Sequence, residues 1–185
     1  GGVGDDAPTL VRRQGLLNGL GTAPNEAVVP PNDPAALAAY RQQQRPALLA
    51  AKDLVRLGLA GTLRSMPVPH ADGRVLRGDA MRYGGQIAGY AQAPGEVVNY
   101  VENHDNQTLF DNNAHKLPRS TSSADRARVQ MLGAAITALS QGVAYFHAGM
   151  EVLRSKSMDR NSFNSGDWFN RLDWTYADNY FGTGL

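Results

Sequence analysis

The sequence predicts an α/β protein built on a parallel strand–helix–strand unit, and three observations predict it. Two apolar runs, over residues 97–101 and 143–148, are short and bounded by turn-forming residues. Between them lies a helical pattern of about five turns, long enough for a right-handed crossover. Each run ends in polar residues, where parallel α/β sheets gather their functional groups. Such a sheet needs both faces covered, and two strands cannot close one. Further strands are therefore expected outside these 185 residues.

The elements follow from local signals. Residues 1–31 are rich in Gly, Pro and Asn, with one apolar segment over 10–20 that predicts a short helix ending at Gly19 or Gly21. Asp33-Pro34 pairs a capping carboxylate with a proline at the first helical position. A helix starts there, breaks or restarts at Pro46, carries Leu48, Val55 and Leu59 at helical spacing, and ends at Gly58 and Gly61. Residues 62–95 read as irregular turns, including YGGQIAGY at 83–90. Pro94-Gly95 and the polar stretch 104–108 bound the first strand, which reads as buried. Ser122-x-x-Asp125 resembles a capping box, with Asp in place of Glu or Gln. It opens a helix with Val129, Leu132, Ile136 and Leu139 on one face, and Gly142 stands where its C-terminal cap belongs.

Length and composition fit one domain with a real core. The formal net charge is +1 and the Arg residues are scattered among Asp and Glu, so no nucleic-acid partner is expected. No apolar run is long enough to span a bilayer, so no membrane partner is expected. The opening GGVGDDAPTL has neither the basic start nor the apolar stretch of a signal peptide. Cysteine is absent, which excludes disulfides and thiolate chemistry but fits reducing and oxidising compartments alike.

The candidate chemistry sits at the ends of the two strands. An Asp beside a His in a cleft stabilises positive charge and orients hydroxyls, as cleavage through an oxocarbenium-like state requires. Neighbouring strand residues face opposite ways. His104 and Asp105 enter one cleft only where the strand has bent into a loop, which Asn103 and Asn106 favour. The same pair also fits a solvated turn. His104, Asp105 and His115 match no familiar metal spacing, so no metal is expected. His147 reads as a packed, hydrogen-bonded core histidine and His70 as a loop residue. The stretch 154–174 mixes Arg, Asp, Asn and Ser with aromatics, which suits a ligand rich in hydroxyls and equally a long surface loop with a salt bridge. Asp167 and Arg171 lie four apart and meet if that turn is helical. Trp168 and Phe169 fit hinge packing as well as a sugar platform.

VNYVENHDNQTLFD (98–111) and YFHAGMEVLRSKSMDRNSFNSGDWFNRLDW (145–174) resemble the pullulanase and limit-dextrinase type of starch-debranching enzyme. That type belongs to the α-amylase superfamily, glycoside hydrolase family 13. Residues 97–111 look like the family's seventh barrel strand, and 143–174 like its eighth strand and substrate loop. LVRLGLAGTLR (54–64) and YGGQIAGY resemble the connection into the seventh strand. The resemblance implies that residues 1–185 are the C-terminal portion of a (β/α)8 catalytic domain, a partial TIM barrel running from after the sixth strand through the eighth.

The resemblance also implies roles. Asp105 is similar to the superfamily's third carboxylate, which holds sugar hydroxyls at the cleavage subsite and stabilises the transition state. His104 looks like a hydroxyl contact in that subsite. Asp167 and Arg171 look like the pair that holds the neighbouring glucose, and Asn164 like a cleft residue. Met150, beside Glu151, departs from the acidic or polar residue usual in the family. The family's nucleophile and general acid follow its fourth and fifth strands, before the matched region, and Asp5, Asp6 and Glu26 sit in no comparable context. The implied partners are an α-glucan substrate and the remainder of the chain's own barrel, with no cofactor. A calcium requirement stays open. The intact parent is expected to be a retaining hydrolase of α-1,6 branches in pullulan, amylopectin or limit dextrins, and this chain alone inactive. Two alternatives stand beside it. One is an isoamylase-like debrancher, against which NSGDWFN argues. The other is a stand-alone non-catalytic α-glucan-binding module, against which uncovered strand edges and apolar faces argue.

Overall fold

The structure is a computed structural model and describes residues 7–183. Helix α1 (Ala7–Arg12) is shorter than the 10–20 expected. Asn18 explains the stop: its Oδ1 accepts from Gly15 N at 2.5 Å and closes a turn that competes with helix.

Helix α2 (Pro34–Leu59) runs for 26 residues without a break. Asp33 Oδ1 accepts from Ala36 N at 2.8 Å, the cap expected from sequence. Pro46 does not interrupt the helix, contrary to expectation. It lies on the exposed face with Gln42, so the carbonyl it leaves unpaired faces water. The C-terminus closes by paired bonds, Thr62 N to Leu57 O and Gly61 N to Gly58 O, each 3.0 Å. Gly61 takes φ +86°, and a Cβ there would stand 2.9 Å from Pro94 Cβ.

Residues 62–95 are more ordered than predicted. They hold two hairpins, β1 (Pro67–Pro69) with β2 (Val75–Arg77) and β3 (Arg82–Tyr83) with β4 (Gln86–Ile87). Gly84-Gly85, both at positive φ, turns the second. Leu57, Val68 and Met81 form a small core here, flanked by Leu54, Met66, Leu76 and Ala88.

The parallel unit is present. β5 (Val98–Asn99) pairs in parallel with β6 (Val143–Ala144), in the register Val98↔Val143 and Asn99↔Ala144. Helices α3 (Leu109–Lys116) and α4 (Ser123–Leu139) make the crossover. Ser122 Oγ accepts from Asp125 N at 3.1 Å and donates to Asp125 Oδ2 at 2.8 Å, so the predicted cap forms.

Apolar faces stand open on both strands and on the crossover helix. Val98, expected to be buried, is about half exposed, and so is Val143. On α4, Leu132 and Leu139 face outward, while Gln130, Gly133 and Thr137 on the opposite face are buried. The physical reason is shared. The apolar faces of β5, β6 and α4 have nothing packed over them among the described residues, where sheets of two strands only occur and no barrel closes.

Lys116, at the end of α3, is fully buried. Its Nζ donates to Leu10 O at 2.7 Å and also to Arg13 O, so a cation closes the C-terminus of α1. Burial, with Arg13 nearby, lowers its pKa from 10.5 to about 8. A cation whose folded pKa is depressed costs stability fully below the folded value, and the cost fades as pH approaches the unfolded value. Stability should therefore rise from about pH 8 to 10.5, by at most about 3 kcal/mol from this group. Lys116→Met should flatten that rise relative to the parent in denaturant titrations across the window. Equal slopes would remove the ammonium from this role.

Candidate functional site

Beyond β5 the chain bends as the asparagines predict. Asn103 Oδ1 accepts from Asp105 N at 2.8 Å, and Asn106 takes a left-handed φ of 60°. Both side chains of the pair therefore leave the sheet on one loop. His104 and Asp105 are 77% and 69% exposed, with Nε2 and Oδ2 3.7 Å apart. Asp105 borders a cavity of about 240 Å³ whose wall includes Tyr100, Glu102, Asn103 and Asn112. The arrangement offers a free carboxylate and an imidazole side by side. It can bind hydroxyls and offset nearby positive charge.

A buried hydrogen-bond network holds this loop in place. Glu102 Oε1 meets His147 Nδ1 at 3.1 Å, and Glu102 Oε2 accepts from Leu109 N. Arg154 Nη1 lies 3.0 Å from His147 Nε2 and donates to Ala148 O at 3.1 Å. Burial lowers the pKa of Arg154, opposed by the Glu102 charge. The network joins the ends of β5 and β6, and His147 is the packed, hydrogen-bonded residue expected.

A second clamp crosses between the two motifs. Asp111 is fully buried; Oδ1 accepts from Ser155 Oγ at 2.5 Å and Oδ2 from Lys156 N at 2.7 Å. Lys156 Nζ donates to His104 O at 3.1 Å. Burial, then Arg154, lowers the Lys156 pKa. Leu153, Ser157 and Met158 take left-handed conformations in the same stretch, a concentration of strain that the clamp holds in place. Sequence reasoning missed Glu102, Asp111, Ser155 and Lys156 as a unit. The signal was a charged residue inside each apolar or motif run, at Glu102 and Asp111.

The remaining candidates lie on the loop after β6. Helix α5 (Gly166–Asn170) ends before Arg171, whose backbone is extended. Asp167 and Arg171 therefore do not form the ion pair expected of one helical turn. The Arg171 guanidinium instead lies 4.5 Å over the Trp168 ring and 4.3 Å over the Tyr180 ring. Asp167 and Asn164 are exposed. Met150 is buried and Glu151 exposed, so the departure at Met150 is a packing residue here.

Other candidates resolve into structural parts. Glu26 carboxylate oxygens accept from Arg119 N at 2.9 and 3.3 Å. His70 Nδ1 lies 3.2 Å from Asp53 Oδ2. Burial lowers the pKa of His115. No group of three or more metal-ligating side chains occurs among the described residues, and no helix there is long and apolar enough to cross a membrane. Asp5 and Asp6 lie outside the described residues.

No protein-family model matches the chain. All 185 residues align at 40% identity with the pullulanase of Klebsiella aerogenes. Chloroplastic pullulanase 1 of Arabidopsis thaliana aligns at 44% identity over 139 residues. The crystal structure of Klebsiella pneumoniae pullulanase complexed with maltotriose superposes with a TM-score of 0.85 at 40% identity, covering 98% of this chain. The chain spans 16% of the Klebsiella aerogenes protein, 14% of the Arabidopsis protein and 16% of that crystal chain.

Proposed function

Because this chain is a homologue of one segment of the pullulanases, we propose that it supplies part of the substrate cleft of a hydrolase that cleaves α-1,6 branches in α-glucans such as pullulan. In this reading β5 and β6 are the seventh and eighth strands of a (β/α)8 barrel, and other parts of the protein cover their exposed faces. Asp105 stabilises the oxocarbenium-like transition state, and His104 binds hydroxyls of the same sugar. Asp167 and Arg171 hold the adjacent glucose, with Asn164 lining the cleft. A retaining mechanism also needs a nucleophile and a general acid, which this reading assigns to other segments of the protein.

The observation that carries the reading is the parallel β5–β6 pair. It brings the His104-Asp105 loop and the loop over 149–171 to one end of a sheet, where Asp111 and Lys156 fasten them together. The uncovered Leu132, Leu139, Val98 and Val143 suit a sheet that continues.

The isolated chain should release no reducing sugar from pullulan, whereas the full-length protein should. Turnover by the isolated chain would overturn the division of catalytic groups. A sharp cooperative melt of the isolated chain together with tight maltotriose binding would favour a stand-alone binding module.

A further inference from the structure

The Arg171 guanidinium lies against two aromatic rings. Its carbon lies 4.5 Å from the Trp168 ring centroid and 4.3 Å from that of Tyr180. Nη1 donates to Trp168 O at 2.7 Å. No other bond of this guanidinium, and no carboxylate partner, occurs among the described residues. Two π contacts and one carbonyl restrain the guanidinium, and its remaining N–H groups form a free edge.

Both rings are themselves anchored. Tyr180 takes φ 60°, and its N donates to Asp178 Oδ1 at 2.6 Å. Its carbonyl accepts from Ser157 Oγ at 3.1 Å, which ties it to the strained stretch beside Asp111 and Lys156. Trp168 sits on α5, whose last residue, Asn170, offers its carbonyl to Arg154 Nη2 at 3.2 Å. Arg154 also contacts His147 at the end of β6. The free edge of Arg171 is therefore referenced to the same strand ends that carry the His104-Asp105 loop.

We propose that Tyr180 and Trp168 are positioning residues that clamp Arg171 and present its free edge to adjacent hydroxyls of a glucose unit. The proposal rests on the reading of Arg171 as a substrate contact. Parallel N–H groups on a planar edge match a pair of neighbouring hydroxyl oxygens, and a guanidinium already immobilised loses little further freedom when it binds. A free arginine on an exposed loop would have to be ordered by the sugar itself.

The test uses the full-length protein, with kcat and KM on pullulan and maltotriose affinity by calorimetry. Tyr180→Leu keeps bulk but removes the π face. It should raise KM and weaken maltotriose roughly fivefold, with kcat within about twofold. Tyr180→Phe keeps the ring and should match the parent. Trp168→Leu reads the same clamp at its second ring and serves if Tyr180→Leu fails to fold. Arg171→Ala separates the two levels. If it raises KM while both Leu variants leave KM unchanged, the clamp is overturned and the substrate contact stands. If Arg171→Ala leaves KM and maltotriose binding unchanged, both fall. Equal losses in Tyr180→Phe and Tyr180→Leu, or a loss in kcat alone, would also overturn the clamp.

Discussion

In the full-length protein, Asp105→Asn should lower kcat on a branched α-glucan by about 10²–10³-fold, the scale of losing one preorganised electrostatic contact to a transition state. The substitution keeps the size and hydrogen-bonding reach of the side chain and removes its charge. The fold should not notice. The Asp105 side chain is 69% exposed, and the neighbouring His104 imidazole is 3.7 Å away. The bend depends on the Asp105 backbone N–H and the Asn103 side chain, not on the Asp105 carboxylate. Stability should therefore stay within about 0.5 kcal/mol of the parent, as for most exposed substitutions. Ground-state hydroxyl contacts survive in part, so KM should move much less than kcat. Steady-state kinetics beside a denaturant titration separates these effects. Unchanged turnover with an intact fold would remove the role assigned to Asp105.

That side chain was legible because its loop is built from local signals. Asn103 and Asn106 are turn formers within the same six residues, and nothing distant has to be known to bend the chain there. The start of α2 at Asp33-Pro34 and its end at Gly61 were legible for the same reason. Pro46 was misread because the penalty of a helical proline depends on where its orphaned carbonyl points, and here that is solvent. Leu132 and Leu139 show how far periodicity reaches. Their spacing gave the right helix, but periodicity reports the face meant for burial and not the element that buries it. Arg171 was placed on one helical turn with Asp167 because the five-residue α5 gives no sequence signal for stopping at Asn170. The clamps were the least legible part. Glu102 lies 45 residues from His147, and Asp111 lies 44 residues from Ser155. No local pattern announces a partner at that distance.

Asp111→Ala should be correspondingly severe, costing about 3–5 kcal/mol, the range for breaking a buried charged contact by removing one partner. The carboxylate is fully buried and accepts from both Ser155 Oγ and Lys156 N. Its removal strands two buried donors, each at a cost of about 1–3 kcal/mol. It also takes a counter-charge from Lys156, whose ammonium already bears a desolvation cost and still has to hold His104 O. The loss should spread along the clamped segment. Leu153, Ser157 and Met158 keep their left-handed conformations only while the surroundings fix them. Residues 153–165 should then become the first site of limited proteolysis. Two comparisons isolate the cause. Ser155→Ala removes one donor and should cost less. In the double variant with Asp111→Ala the two effects should be less than additive, since one of the donors that loss of the carboxylate would strand is already gone. Additive losses, or a protease pattern like the parent's, would mean that the loop is held by something other than Asp111.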